Sequence, residues 1–220
     1  MNLENLKGKF ITFEGAEGAG KSTQSKLLVE YLNSKGIEAV WTREPGGSEG
    51  AEEIRKTLIK GKWDGITELL LMYAARRDHT EKKIKPLLKE GKVVISDRYF
   101  DSTVAYQGFG HKLDLNKIST IQKIVLNDFK PHLTIIMDID LKKGQNRAHI
   151  RKGEDHFRTH ALEKRSQLSD KENEFYKKAK KGFLTIAKNE SKRCKLLNVD
   201  NLTVEEVQKE ILNILNLNFK

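Results

Sequence analysis

The chain has 220 residues, of which 37% are hydrophobic and 33% are charged, and its 41 basic and 31 acidic residues give a formal net charge of +10. This composition is typical of a globular protein with a heavily charged surface, and the single Cys194 excludes an internal disulfide. The first ten residues lack the apolar core of a secretory signal, and no apolar run approaches the roughly 18 residues of a membrane span. We therefore expect a cytoplasmic protein that does not bind membranes.

Short apolar runs alternate with longer helical patterns along nearly the whole chain. Strands are predicted at 9–14, 38–44, 92–98, 133–139 and 194–200. Helices are predicted at 21–34, 49–60, 67–90, 114–129, 170–190 and 203–217. This alternation is typical of an α/β fold with a parallel sheet and helices on both faces. We expect residues 1–220 to form a single domain.

Three stretches within this pattern carry further predictions. On the helix at 67–90, Leu69, Leu70, Tyr73 and Ala74 are expected to share one side. The segment at 147–169 is rich in Arg, Lys and His with little apolar periodicity, so we expect a mobile, charged excursion from the domain. The run YKKAKKG (176–182) lies in a helical pattern, which favours a solvated helix face over a nucleic-acid site.

The segment FEGAEGAGKST (13–23) matches the phosphate-binding pattern G-x-x-x-x-G-K-[ST] between a predicted strand and a predicted helix. Its glycines let backbone N–H groups point into one concavity, and the helix N-terminus adds partial positive charge. Lys21 would reach the β- and γ-phosphates and Ser22 would bind Mg²⁺, so ATP and Mg²⁺ are the predicted cofactors. The residues expected to hold the nucleotide are Gly15, Ala16, Glu17, Gly18, Ala19, Gly20, Lys21, Ser22 and Thr23.

This loop alone does not choose among GTPases, ATPase motors, helicases and small-molecule kinases. A GTPase would need a base-reading N-K-x-D sequence after a strand. The nearest sequence, LNDF at 126–129, lacks the lysine and is predicted to lie in a helix.

Charged residues cluster where predicted strands end, which is where an open parallel sheet binds its ligands. Arg43 ends the second strand, and Asp97 and Arg98 end the third. A helix between them carries Arg76 and Arg77. Arginine forks suit phosphate oxygens, and an aspartate after a buried strand can hold the hydration shell of Mg²⁺.

At these residues the chain resembles a known family. The segments that carry the resemblance are GAEGAGKST, TREPGG, LLLMYAARRDH, DRYFDSTVAYQG and PHLTIIMDID. In this order, from about residue 8 to 200, they are similar to the bacterial type of thymidylate kinase (dTMP kinase). The run DRYFDSTVAYQG is the most specific, since it resembles the signature of this family and not that of P-loop kinases at large.

The resemblance implies a P-loop nucleoside monophosphate kinase fold, with a five-stranded parallel sheet and a flexible lid at about 144–168. It implies transfer of the γ-phosphate of ATP to dTMP, giving dTDP for dTTP biosynthesis. It also implies a homodimer formed through helices beside the sheet. Closure of the lid over the donor would exclude water and limit hydrolysis of ATP.

The resemblance assigns roles to individual residues as well. Glu17 is implied to face the 3′-OH of dTMP, and Arg98, assisted by Arg43, to grip the acceptor phosphate. Asp97 is implied to organise Mg²⁺ through water. The base and sugar pocket is implied to hold Arg76 against the thymine ring, with Thr103, Tyr106 and Gln107 lining it.

The chain departs from the family's pattern at two places. Relatives often have a phenylalanine four residues before the arginine that corresponds to Arg76, whereas this chain has Met72, an adaptable side chain that can cover the thymine with less rigidity. The lid lacks the usual Asp-Arg pair. Because the P-loop carries no arginine, we expect a lid arginine to reach the phosphates, with Arg151 as first choice and Arg147 and Arg158 behind it.

These assignments predict a mechanism with little covalent chemistry. Lys21, Arg98 and Arg151 would neutralise the charge on the moving phosphoryl group. No general base is assigned, because the acceptor phosphate is already ionised at neutral pH.

Two alternative functions stay open at this stage. One is a kinase for another nucleoside monophosphate, such as dUMP or CMP, on the same scaffold. The other is a nucleic-acid-stimulated P-loop ATPase, which the net charge of +10 suggests. We expect dTMP to be the partner molecule and no nucleic acid to be bound.

Overall fold

The computed structural model describes residues 3–150 and 170–219. Its centre is a five-stranded parallel sheet in the order β2-β3-β1-β4-β5. The strands are β1 Phe10–Gly15, β2 Ala39–Arg43, β3 Val93–Asp97, β4 Leu133–Asp138 and β5 Cys194–Asn198. The predicted five-stranded parallel sheet is confirmed.

Helices flank the sheet along the whole described chain. They are α1 Lys21–Ser34, α2 Glu49–Lys60, α3 Gly65–His79, α4 Lys85–Lys89, α5 Phe100–Thr103, α6 Leu115–Leu126, α7 Leu141–Ile150, α8 Asp170–Asn189 and α9 Val204–Asn218. A wider π-type turn, Thr80–Ile84, joins α3 to α4, and a second one, Val104–Gly110, continues α5. Among the described residues, no helix combines the length and the apolar character needed to cross a bilayer.

The hydrophobic core lies on both faces of the sheet, because successive residues of a strand point to opposite sides. On one face, Ile135 belongs to a buried cluster with Leu28 of α1 and Ile211 of α9. On the other face, Ile136 belongs to a cluster with Phe183 of α8. The prediction of helices on both faces is therefore confirmed.

The structure contains two helical segments that the sequence pattern does not predict. One is α5 with its π-type continuation, whose N-cap Tyr99 offers no capping side chain and so gives no start signal. The other is α7, which includes residues 147–150 of the predicted charged excursion. Its capping signal is Asp140, whose carboxylate accepts from the backbone N–H groups of Lys142 and Lys143 at 3.0 and 3.1 Å.

Two predictions about helices are corrected. The helix predicted at 114–129 ends at Leu126, where Asn127 takes a left-handed backbone conformation with φ of 52°. Leu69 and Tyr73 are buried as predicted, but Leu70 is 52% exposed, and Ala74 is exposed too. Successive helical residues are rotated by about 100°, so the core covers the first pair and not the second.

The predicted lid at 144–168 begins within α7, and its remainder from residue 151 lies outside the described residues. Arg151 and Arg158 lie there too, so their roles and the extent of the lid stay predictions. The single-domain organisation also stays a prediction.

Candidate active site

The P-loop joins β1 to α1, and its backbone conformation depends on glycine. Gly15 has a φ of 126°, and a Cβ atom there would lie 2.2 Å from the carbonyl oxygen of Met137. Gly18 has a φ of 73°, and its Cβ would lie 2.0 Å from the carbonyl oxygen of Gly144 in α7. Gly20 precedes α1 without a side-chain cap, which leaves the first amides of the helix available to an anion.

Lys21 is held inside this loop. Its Nζ donates to the carbonyl oxygen of Ala16 at 2.6 Å, and the residue is only 6% exposed. Burial, reinforced by the charge of Arg98, lowers the pKa of Lys21 to about 7. A polyphosphate bound beside it would raise that pKa again, because an opposite charge favours the ammonium form.

Ser22 and Asp97 form a site suited to Mg²⁺. The Ser22 hydroxyl donates to Oδ2 of Asp97, while Oδ1 of Asp97 is buried without a hydrogen-bond partner. Asp97 ends β3, in register with Phe13 on β1 and Arg43 on β2. No group of three or more His, Cys, Asp or Glu suited to a metal occurs in the described part of the chain. One hydroxyl and one carboxylate are a fitting donor set, because Mg²⁺ usually keeps waters and phosphate oxygens as its other ligands.

A cleft of about 380 Å³ opens beside the P-loop. Its lining residues are Gly18, Ala19, Gly20, Thr23, Gln24, Met137, Arg147, Val199, Leu202, Thr203, Val204 and Val207. Arg147 was one of the predicted lid arginines, whereas the apolar wall from 199 to 207 was not predicted. Gln24 was missed too; its Nε2 donates to the carbonyl oxygen of Val204 at 2.8 Å. We call residues 15–23 except Glu17, together with this cleft, the P-loop side of the site.

Arg98 contacts the P-loop at Gly15. Its backbone is left-handed, with a φ of 73°, which is uncommon for a residue other than glycine. Its Nη1 donates to the carbonyl oxygen of Gly15 at 3.2 Å and to the Ser102 hydroxyl at 3.0 Å. Its guanidinium carbon lies 5.2 Å from the centre of the Tyr106 ring. The structure thus brings two predicted site residues, Arg98 and Tyr106, against the P-loop.

Arg76 is buried beside the same strand ends. Its Nε donates to Oε2 of Glu44 at 2.7 Å and its Nη2 to the carbonyl oxygen of Tyr99 at 3.2 Å, while Nη1 has no partner. Burial disfavours the guanidinium charge, but Glu44 raises the pKa of Arg76. The other Glu44 oxygen lies 3.1 Å from Nδ1 of His79. The neighbouring Arg77 points away, being half exposed with a bond to the carbonyl oxygen of Val125, and takes no part in the cluster.

The other predicted substrate residues are close to Arg76 or Arg98 in the sequence, or lie at the ends of the strands β1 and β2. Met72, Thr103 and Gln107 are buried. Gln107 donates from Nε2 to Oε1 of Glu68 at 2.5 Å. Arg43 and Glu17 are half buried, and Arg43 pairs with Glu52 at 3.5 Å. We call this group the arginine side of the site; its members are Glu17, Arg43, Met72, Arg76, Arg98, Thr103, Tyr106 and Gln107.

Unpaired polar atoms concentrate on the predicted site residues. Seven buried side-chain atoms of the described residues lack a hydrogen-bond partner. Four of them are Arg76 Nη1, Asp97 Oδ1, Thr103 Oγ1 and Gln107 Oε1. A buried donor or acceptor without a partner costs about 1–3 kcal/mol, so these atoms favour a polar ligand that pairs with them.

Comparisons with known proteins show the family to which this chain belongs. The family model for thymidylate kinase matches residues 13–211. The thymidylate kinase of Caulobacter vibrioides is 43% identical over 197 residues, which cover 88% of this chain and 89% of the relative. That of Wolbachia pipientis wMel is 41% identical, with 93% and 98% covered. The crystal structure of thymidylate kinase from Ehrlichia chaffeensis is 36% identical with a TM-score of 0.77, covering 96% of this chain and 99% of that one. The chain therefore belongs to the thymidylate kinase family of enzymes, and the predicted fold and kinase class are confirmed.

Proposed function

We propose that the protein transfers the γ-phosphate of ATP to dTMP, in a reaction that requires Mg²⁺. The observation that carries the proposal is the coincidence between unpaired buried polar atoms and the predicted acceptor residues, directly beside a P-loop. Membership of the thymidylate kinase family supports the same substrate.

On the P-loop side, the chain would hold the donor mainly with backbone groups. The amides of the loop and of the first turn of α1 bind the phosphates, and Lys21 adds a charge next to the transferred group. The apolar wall from 199 to 207 accepts the base, and Arg147 lies at the same cleft. Ser22 and Asp97 would hold Mg²⁺, which when bound neutralises negative charge on the donor phosphates.

On the arginine side, the chain would hold the acceptor with side chains. Arg98, helped by Arg43, binds the phosphate of dTMP. Arg76 donates from Nη1 to a carbonyl oxygen of thymine, and Gln107 and Thr103 offer acceptors to the ring N–H. Glu17 faces the 3′-OH, and Met72 and Tyr106 pack against the base and sugar. With both phosphates ionised, in-line positioning and charge neutralisation suffice, and no general base is required.

Release of ADP should be measured with dTMP, dUMP, CMP or DNA as the added partner. We expect rapid turnover with dTMP and slower turnover with dUMP. Preference for CMP would favour another monophosphate kinase, and hydrolysis stimulated by DNA but indifferent to dTMP would favour an ATPase. The DNA arm also tests the prediction that no nucleic acid is bound.

Thr103→Val tests directly whether the unpaired buried hydroxyl of Thr103 pairs with dTMP. Removal of an unpaired buried hydroxyl should leave the stability of the free protein unchanged or higher, while raising the KM for dTMP about tenfold or more. The control is Thr80→Val, since the Thr80 hydroxyl is buried and paired with the Tyr99 hydroxyl at 2.7 Å. The control should lose stability and keep its KM for dTMP. The assignment of Thr103 fails if its KM is unchanged.

We also propose that two copies of the chain form a dimer through α3 and α6. These helices contact each other, since Tyr73 donates to Gln122 at 3.3 Å. Their outer faces expose Ile66 at 41%, Leu70 at 52% and Ile124 at 73%. A second copy would cover these side chains, in keeping with the homodimer that the family resemblance implies.

Light scattering during size-exclusion chromatography tests the dimer. Leu70→Glu and Ile124→Glu should each shift the protein towards a monomer. Leu196→Glu is the control, because Leu196 is 48% exposed on the edge strand β5. A wild-type monomer at micromolar concentration would contradict the proposal. The cytoplasmic location stays a prediction.

A further inference from the structure

Glu14 is a buried carboxylate that sequence reasoning did not single out. It lies near the end of the central strand β1, with 0% of its surface exposed. Its Oε1 accepts from the backbone N–H groups of Tyr99 at 2.7 Å and Ser102 at 3.2 Å. Its Oε2 accepts from the Ser102 hydroxyl at 2.5 Å. Both oxygens are therefore used to hold the segment that follows Arg98.

The bond from Ser102 fixes the direction of a hydrogen-bond chain. Above its pKa, which burial raises to about 7, the Glu14 carboxylate is ionised and can only accept, so the Ser102 hydroxyl donates its single hydrogen to Glu14. Its lone pairs are then turned towards Nη1 of Arg98, which donates to it at 3.0 Å. Glu14 thus determines which way the hydroxyl faces, and the hydroxyl holds one arm of the guanidinium.

Glu14 also stabilises the backbone around Arg98. The left-handed conformation of Arg98 is held by its N–H, which donates to Phe13, and by its carbonyl oxygen, which accepts from the Ser96 hydroxyl at 2.7 Å. The next N–H along the chain, that of Tyr99, donates to the Glu14 carboxylate. This carboxylate takes the place of the missing N-cap side chain of α5.

Arg98 is a positive charge near Glu14 that a hydrogen-bond chain through Ser102 links to it. Asp101 on α5 is a second carboxylate near Glu14, and it forms an ion pair with Arg193, whose two Nη atoms lie 2.7 and 2.9 Å from its oxygens. Such a two-point arginine–carboxylate pair satisfies both partners. Among the described residues, no arginine or lysine donates directly to Glu14, which is linked to Arg98 through Ser102.

We propose that Glu14 is a positioning residue for the acceptor phosphate, acting through Ser102 and the Tyr99 amide to hold Arg98. This inference rests on the proposed function, because it takes Arg98 as the residue that binds the acceptor. It adds a requirement for a buried negative charge that never touches the substrate.

The test is a double-mutant cycle with Glu14→Gln and Ser102→Ala at about pH 8, where Glu14 is ionised, and KM is measured separately for dTMP and ATP. Each variant should raise the KM for dTMP about tenfold or more and the KM for ATP less than about twofold, since the hydrogen bond lost is to a charged group. The double variant should be no worse than the worse single one, because both changes break the same chain. Thr80→Val, with an equally buried hydroxyl bond nearby, should lower stability without this split in KM.

Additive effects in the cycle, or equal increases in the two KM values, would overturn the proposal. Should Glu14→Gln fail to fold, Ser102→Ala decides alone by the same split. The wild type and Arg98→Ala separate this proposal from the proposed function. If the wild type does not use dTMP, or Arg98→Ala leaves the KM for dTMP unchanged, the proposed function itself fails.

Discussion

The two sides of the site owe their geometry to different parts of the chain, one to the backbone and the other to side chains. On the P-loop side, the geometry comes from the backbone, with glycines at positive φ and helix amides without caps. On the arginine side, it comes from side chains locked by buried carboxylates, Arg76 by Glu44 and Arg98 by Glu14 through Ser102. The arginine side is thus arranged by pairs within the protein, whereas the P-loop side relies on one lysine and on the chain's conformation.

This difference has a consequence for mutation. A guanidinium held by a carboxylate keeps its orientation without ligand, so little ordering is left to occur on binding. Substitutions on the arginine side should therefore act mainly on the KM for the acceptor. Substitutions on the P-loop side should act mainly on turnover, because the charge of Lys21 is used where negative charge moves.

Lys21→Ala should give the largest effect. We expect kcat to fall by about 10²-fold or more, while dTMP binding survives, because the ammonium lies inside the loop that would hold the donor phosphates. Lys26→Ala is the matched control, since Lys26 is an exposed lysine of the same helix that lies over the Trp41 ring. Steady-state kinetics and dTMP titration measure both. A Lys21 variant with near-normal kcat would contradict the phosphate-binding role of the loop.

Arg98→Ala should come next and should separate the two sides. We expect the KM for dTMP to rise about 10²-fold and the KM for ATP to change little, as removal of one partner of a buried charged pair costs about 2–5 kcal/mol. Arg77→Ala serves as control, because Arg77 is an exposed arginine paired with Glu81 at 2.9 Å. Equal increases in the KM for dTMP and the KM for ATP would show that Arg98 does not act specifically on the acceptor.

The lid arginines test whether the P-loop side needs a further cation. Among the alanine variants of Arg147, Arg151 and Arg158, we expect Arg151→Ala to reduce kcat most, by about tenfold or more. Circular dichroism should show an intact fold in each. Lys142→Ala, on the exposed surface of α7, is the control. Normal turnover in all three arginine variants would show that the lid supplies no essential charge.

The sequence alone predicts the P-loop, although not the wall of the cleft beside it, because the determinants of the loop are contiguous. The glycines, Lys21 and Ser22 lie within one short run, and each glycine is required by a local backbone conformation or a close contact. The strand ends were also predictable, since buried strands are continuous apolar runs and their carboxyl ends share one edge of the sheet.

The supports of the arginine side could not be predicted, because their partners are distant in sequence. Glu14 bonds residues 85 and 88 positions away. The same holds for Gln24 on the P-loop side, which bonds a carbonyl 180 positions away. A lone glutamate in an apolar strand gives no pattern that identifies its partner. Glu44 directly follows β2, and its bond to Arg76 depends on how α3 packs against that strand.

Tyr106→Ala should change selectivity on the arginine side. The wild type should prefer thymine over uracil by about 10–200-fold, towards the low end because Met72 replaces a flat ring. The preference for deoxyribose, on the order of 10²-fold, should be eroded in Tyr106→Ala while the base preference persists. Tyr106→Phe is the control, since it keeps the ring over Arg98 and loses only a hydroxyl 3.5 Å from the Gly15 carbonyl. The measurement is kcat/KM for dTMP, dUMP and ribo-TMP. If the alanine variant keeps the full preference for deoxyribose, Tyr106 does not contact the sugar.

The smallest expected effect is a pH dependence of stability that arises from Glu14, the carboxylate that supports Arg98. Burial, reinforced by Asp101, raises the pKa of Glu14 to about 7, while Arg98 and the bonds from Ser102 and Tyr99 oppose the rise. Between its ordinary pKa of 4.5 and about 7, the folded state keeps a proton that the unfolded chain releases. The free energy of unfolding therefore falls as pH rises through this window. The Gln variant lacks the titrating group, so the wild type should lose on the order of 1–3 kcal/mol relative to Glu14→Gln between pH 5 and 7.5. Urea unfolding of both proteins across that range measures the difference, and parallel curves would show that Glu14 does not titrate there.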